Sequence, residues 1–84
     1  MRVYLDISEY WPKDETGQPR SVNSIYEEIR GTPNEVGRNT LTLARNGQLE
    51  KGNFANQVKL SRLVSAWSKQ SIGVDDLLKI EEER

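Results

Sequence analysis

The chain has no cysteine and no histidine. The first absence excludes a disulfide framework and points to a reducing compartment. Together they remove the usual zinc ligand sets and the common nucleophile–base pairs of enzymes. Long apolar runs are missing as well. Residues 1–7 alternate instead of forming a block, so no secretory signal is expected, and no stretch approaches a membrane span. The expectation is a soluble, cytoplasmic protein. Charge of one sign is also lacking: 12 basic and 13 acidic residues leave a net charge of -1, which by itself suggests no nucleic-acid partner.

What is there is distributed unevenly. Residues 1–37 carry four basic and seven acidic side chains, residues 38–70 carry six and one, and residues 71–84 carry two and five. The middle block, at net +5, holds Arg38, Arg45, Lys51, Lys59, Arg62 and Lys69 against Glu50 alone. A basic segment in a near-neutral protein is what phosphate contact needs. With 84 residues the chain is expected to form a single domain, residues 1–84, and a domain of this size buries about 60 to 65 % of its unfolded surface.

Val3, Leu5 and Ile7 alternate with polar neighbours and predict a short half-buried strand. Pro12 and the polar stretch to Pro19 predict a loop. Ser21 or Asn23 can cap a helix that turns Val22, Ile25, Tyr26 and Ile29 inward, closed by Gly31. Thr32, Pro33, Asn34 and Glu35 have the order of a capping box with proline at the first helical position. They predict a second helix from Pro33 to Asn46, with Val36, Thr40, Leu41, Leu43 and Ala44 inward and Gly37 as a weak point costing about 1 kcal/mol. Residues 48–56 read as a loop with Phe54 as an anchor into the core. Asn56 is placed to cap a helix carrying Leu60, Leu63, Val64 and Trp67. A last helix starts at Val74 with Asp75 and Asp76 in its first turn, and Leu77, Leu78 and Ile80 are the remaining core candidates. Residues 81–84 read as a solvated tail.

The segment NTLTLARNGQ, residues 39–48, combines an apolar stripe, a polar face and an Asn-Gly stop. Anchoring Leu41 and Ala44 turns Arg38, Asn39, Thr42 and Arg45 elsewhere. Arginine and asparagine near a helix start match guanine and adenine edges with forked hydrogen bonds. Two helices joined by a short turn, the second polar and basic at its front, constitute a helix-turn-helix.

The pieces LTLARNGQ, LSRLVSAW and IGVDDLLKI, in that order, resemble the second half of the repressor and Cro family of helix-turn-helix regulators, also called the Xre family. The resemblance covers roughly residues 38–80. It implies a mainly α, lambda-repressor-like helix-turn-helix domain that reads duplex DNA in the major groove. By this likeness Arg38, Asn39 and Thr42 fall where bases are read, Leu43 where an apolar contact to thymine is made, and Arg45, Asn46, Gly47 and Lys51 near phosphates. Asn34, at the front of the expected helix, and Lys59, in the basic block, complete the candidate DNA-binding set. Gly31 lies 16 residues before Gly47, farther than in the family, so either the recognition helix has an extra turn at its start or the turn is enlarged. The first 30 residues show little likeness. Small members of the family can pair an amino-terminal strand with one after the last helix, which would match MRVYLDI to LLKIEEE.

The expectation is a sequence-specific transcriptional regulator acting as a homodimer, a repressor of a small operon or mobile element, without cofactor, metal or small-molecule ligand. A protein-interaction module or antitoxin on the same helical fold, using Tyr10, Trp11 and the acidic ends, is the competing class. An enzyme is the least supported. Asp75 and Asp76 diverge by about 100° on a helix, and no base orients the serines near Lys69.

Overall fold

The computed structural model describes residues 1–82. It is a small, mostly helical, mixed α/β fold whose strand-forming ends meet. Strand β1 (Arg2–Leu5) leads through a 3-10 turn at Ser8–Tyr10 and a long loop to α1 (Val22–Ile29), followed by α2 (Arg38–Arg45), α3 (Phe54–Ser68), the one-turn α4 (Val74–Leu77) and β2 (Leu78–Glu81). β1 and β2 pair antiparallel, with Arg2 opposite Glu81, Val3 opposite Ile80, Tyr4 opposite Lys79 and Leu5 opposite Leu78. The pairing of MRVYLDI with LLKIEEE is thus present. Glu81 belongs to β2, accepting from the Tyr4 hydroxyl at 3.2 Å, and residues 83 and 84 of the expected tail lie outside the described residues.

Each helix begins for a local reason. Ser21, with extended backbone, accepts a hydrogen bond from the Ser24 amide at 3.1 Å and caps α1, settling the choice against Asn23. Asn53 does the same for α3, accepting from the Asn56 amide at 2.7 Å, so Asn56 is the donor and not the cap. The Gly73 amide donates to the Asp76 carboxylate at 2.9 Å at the start of α4.

The second helix starts at Arg38, not Pro33. The Thr32–Glu35 signal is used, but for a turn. The Glu35 carboxylate accepts from the Gly31 amide at 2.7 Å, the Glu35 amide donates to the Thr32 carbonyl at 3.2 Å, and the Thr32 hydroxyl donates to the Ile29 carbonyl at 2.6 Å. Residues 30–37 therefore form an enlarged connection, with Gly31 at φ +79° closing α1 and Val36 buried as its pin. Gly37 is the residue before the helix and not a weak point inside it.

One apolar core joins the amino-terminal segment to the four helices. Leu5 and Ile7 come from the amino-terminal segment, Ile25 and Ile29 from α1, Leu41 and Ala44 from α2, Leu60, Leu63 and Val64 from α3, and Leu77 from α4. At about 25 cal/mol per Å² of buried apolar area, these side chains dominate stability. Trp11 closes one side at 7 % exposure, its indole donating to the Arg20 carbonyl at 2.7 Å and meeting the half-buried Trp67 edge-on at 5.7 Å.

Three expected core contributions are corrected. Phe54 is 84 % exposed, because it begins α3 on the side turned from the core. Leu78 and Ile80 are 39 % and 61 % exposed, because the chain leaves helical geometry after Leu77 and their side chains stand on one face of a two-stranded ribbon. Val3, opposite Ile80, shares that face and is 38 % exposed.

Candidate nucleic-acid interface

α2 is fixed to the molecule by two residues one turn apart, Leu41 and Ala44, both fully buried. At 100° per residue, Asn39, Thr42, Leu43 and Asn46 then lie on the side away from the Leu41–Ala44 anchor, and Arg38 and Arg45 fall on the flanks. Asn39 and Asn46 are exposed, and Thr42 and Leu43 half-buried. The Thr42 hydroxyl donates to the Arg38 carbonyl at 2.9 Å, which fixes its rotamer. Leu43 packs partly against the core and borders a shallow groove with Gln48, Leu49, Glu50 and Lys51.

The flanking arginines are both engaged. Arg38 folds back over α1, its Nε donating to Asn23 Oδ1 at 3.0 Å, its Nη2 reaching Glu27 at 3.5 Å, and its guanidinium lying 4.3 Å from the centre of the Tyr26 ring. These contacts lay Arg38 across the α1–α2 junction. They do not aim Arg38 straight outward, as the sequence pattern suggested. The ion pair is exposed on both sides, so it contributes no more than about 1 kcal/mol and can be exchanged for another anion. Arg45 lies 5.6 Å from the Trp11 ring centre and donates to Asn46 Oδ1 at 3.3 Å.

The stop after α2 is built into the protein interior. Gly47 has φ +66° and is buried, its amide donates to the Ala44 carbonyl at 3.3 Å, and its carbonyl accepts from Arg2 Nη2 at 2.9 Å. Its polar groups are therefore spent on the turn, and the residue shapes the interface without facing it. Asn34 lies in the enlarged connection before α2, half-buried, with its Oδ1 shielded from solvent and without a hydrogen-bond partner among the described residues. Lys51 is exposed in the loop after α2, and Lys59 half-buried on α3. Arg62 is exposed on α3.

Charge pairing divides the molecule as the sequence blocks do. Among the described residues, Arg2, Arg20 and Arg30 of the first block have acidic partners, whereas of the middle block only Arg38 does. Arg45, Lys51, Lys59, Arg62 and Lys69 make no ion pair there, and the one acid of the block, Glu50, is taken by Arg2. That contact holds the Arg2 guanidinium above its ordinary pKa, with Glu81 adding to the effect.

Arg2 is the residue that sequence reasoning missed. It lies over the Tyr4 ring at 4.2 Å and ties β1 to β2, to the loop at Glu50 and to the turn at Gly47. Only the odd position of an arginine in an alternating strand hinted at it. Trp11, named for a partner-binding role, is in the core instead.

No group of three or more acidic side chains is placed to hold a metal ion, and no helix is long and apolar enough to cross a membrane, among the described residues. Comparison with protein-family models, with curated proteins and with solved structures returns no match.

Proposed function

We propose that this chain binds duplex DNA, with α1, the enlarged turn and α2 forming a helix-turn-helix of the repressor and Cro kind and α2 entering the major groove. One observation carries the reading. The face of α2 opposite its Leu41–Ala44 anchor carries Asn39, Thr42 and Asn46 around Leu43 and no acidic residue, and the basic side chains following it have no acidic partner among the described residues.

In this arrangement Asn39 is the principal base reader, since an exposed asparagine on the first turn can accept from and donate to one adenine edge, contributing about 1 to 3 kcal/mol of discrimination. Thr42 and Leu43 follow on the same face, suited to contact with a thymine methyl. Arg38 becomes available when a phosphate or guanine displaces Glu27. Arg45, Asn46, Lys51 and Lys59 serve the phosphates, and Gly47 serves the turn. A homodimer would set two such helices about 34 Å apart, one turn of DNA. Acting at a promoter, it would be a transcriptional regulator, most simply a repressor of a small operon or mobile element.

The test is selection of binding sites from a randomised duplex pool, followed by anisotropy titration of the selected site and a scrambled one. Wild type should prefer the selected site by a factor of 10³ or more, on the order of that for specific regulators. Asn39→Ala should lose most of that preference while keeping salt-sensitive binding to both. Recovery of no enriched site, or full preference in Asn39→Ala, would overturn the assignment.

A further inference from the structure

The outer edge of β2 is a strand edge with a self-complementary sequence. Among the described residues β2 pairs with β1 alone. Two backbone bonds fix which of its groups point outward. The Leu5 amide donates to the Leu49 carbonyl at 2.9 Å, away from β2, and the Asp6 amide donates to the Leu77 carbonyl at 3.1 Å, toward it. Alternation along the antiparallel ladder then turns the backbone of Tyr4 and Arg2 toward Lys79 and Glu81. The amides and carbonyls of Leu78 and Ile80 face the open edge. Their side chains share one ribbon face with Val3, and Met1 lies two residues along on the same side. Ile80 is 61 % exposed and Met1 74 %.

We propose that this edge joins the same edge of a second copy, antiparallel, about a two-fold axis through Ile80. Side-chain charge selects that register. Centred on Ile80, Lys79 faces the partner's Glu81 and Glu81 faces the partner's Lys79. Leu78 lies opposite the partner's Glu82, and the two isoleucines meet as a pair exchanging both backbone bonds. Centring on Lys79 sets lysine against lysine, and centring on Glu81 sets glutamate against glutamate, both destabilising for directly opposed residues. Centring on Leu78 runs the pairing into α4, where the backbone is helical. Edge strands are commonly protected by charge. Here the charges alternate in sign and match their own reversal. The result is a continuous ribbon of β1, β2, β2 and β1 with an apolar seam at Ile80. This inference specifies the dimer surface, and it depends on the strand edge alone and not on what α2 contacts.

Sedimentation equilibrium without DNA tests it, using three variants whose folding is checked by circular dichroism. Wild type should be dimeric in the micromolar range. Lys79→Glu and Glu81→Lys should each weaken the dimer by on the order of tenfold, from two attractive pairs turned repulsive. A 1:1 mixture of the two should recover wild-type association, because every cross-pair is again opposite in sign. Ile80→Pro should keep the fold, since its lost amide faces the open edge, and should be monomeric. Wild type remaining monomeric at about 100 μM, single variants associating like wild type, or a mixture that fails to recover would each overturn the proposal. Loss of the dimer would weaken binding to a two-half-site duplex, but whether the α2 face meets DNA at all is read separately, from the salt dependence of binding to a random-sequence duplex.

Discussion

Two glycines flank α2, and the geometry predicts opposite responses to adding a side chain. Gly37, the residue before the helix, has φ -67° and ψ 159°, nearly the backbone of Ser21 at φ -68° and ψ 151°, which caps α1 through its hydroxyl. A Cβ at Gly37 meets nothing within 4 Å, and α2 has no side-chain cap. Gly37→Ser should therefore add a cap and reduce the freedom of the unfolded chain, stabilising by about 1 kcal/mol.

Gly47 has φ +66°, and a Cβ there would come within 3.0 Å of Asp6 Oδ2 and 3.3 Å of Asp6 Cγ. The left-handed conformation costs a side chain about 1 to 2 kcal/mol. Asp6 cannot simply move aside, because its other oxygen accepts from the Ser8 amide at 2.9 Å, a bond worth about 1 kcal/mol. Gly47→Ala should accordingly destabilise by about 2 to 3 kcal/mol. For a domain of this size 1 kcal/mol moves the midpoint by about 4 to 8 °C, so thermal unfolding followed by circular dichroism should place the two variants on opposite sides of wild type. A Gly47→Ala midpoint within about 2 °C of wild type, or a lowered one for Gly37→Ser, would refute this account of how α2 is bounded.

Three further outcomes follow from the same structure. Leu41→Ala removes a fully buried side chain from the anchor of α2 and should cost about 2 to 5 kcal/mol in denaturant unfolding. Glu27→Gln removes the acid that engages Arg38 and should tighten binding to any duplex by about two- to fivefold in anisotropy, with little change in stability. Asp14 accepts from the Thr16 hydroxyl at 2.6 Å and amide at 2.8 Å and from the Gln18 amide, which holds its carboxyl below the ordinary aspartate value of 3.8. A depressed folded pKa gives stability that is present above the unfolded value and lost as pH falls through the folded one. The gap between wild type and Asp14→Asn should therefore narrow from about pH 5 to about pH 2 in thermal melts, and a constant gap would contradict it.

β1 was legible because alternation in residues 2–7 reports a half-buried strand without reference to the rest of the chain. β2 was not, since Leu77, Leu78 and Ile80 read as the end of a helix and only the family resemblance paired that segment with the amino terminus. The anchoring of α2 by Leu41 and Ala44 was legible for the same reason as β1, at helical spacing. The start of α2 was not. Thr32 and Glu35 have capping chemistry that serves a turn as readily as a helix, and what decides is Glu35 reaching the Gly31 amide while Val36 sinks into the core. Phe54 and Ile80 misled because apolar character says nothing of which side of an element a residue occupies when its neighbours are also mixed. Arg2 was hidden by distance along the chain, since its partners Gly47, Glu50 and Glu81 lie 45, 48 and 79 residues away. The sideways pose of Arg38 likewise depends on Asn23, Tyr26 and Glu27 of α1, and hence on how the two helices cross.

The central claim is that the unpaired basic side chains after α2 meet phosphates. Its most direct test is the salt dependence of anisotropy binding to a random-sequence duplex, for wild type, Lys51→Ala and Lys59→Ala. Both lysines are free of ion pairs among the described residues, so their removal should leave folding intact. Wild-type affinity should fall linearly on a log–log plot of association constant against salt, and each variant should reduce the magnitude of the slope by about 0.9. Absence of binding at about 50 mM salt, or slopes unchanged in both variants, would contradict a DNA-binding role for this face.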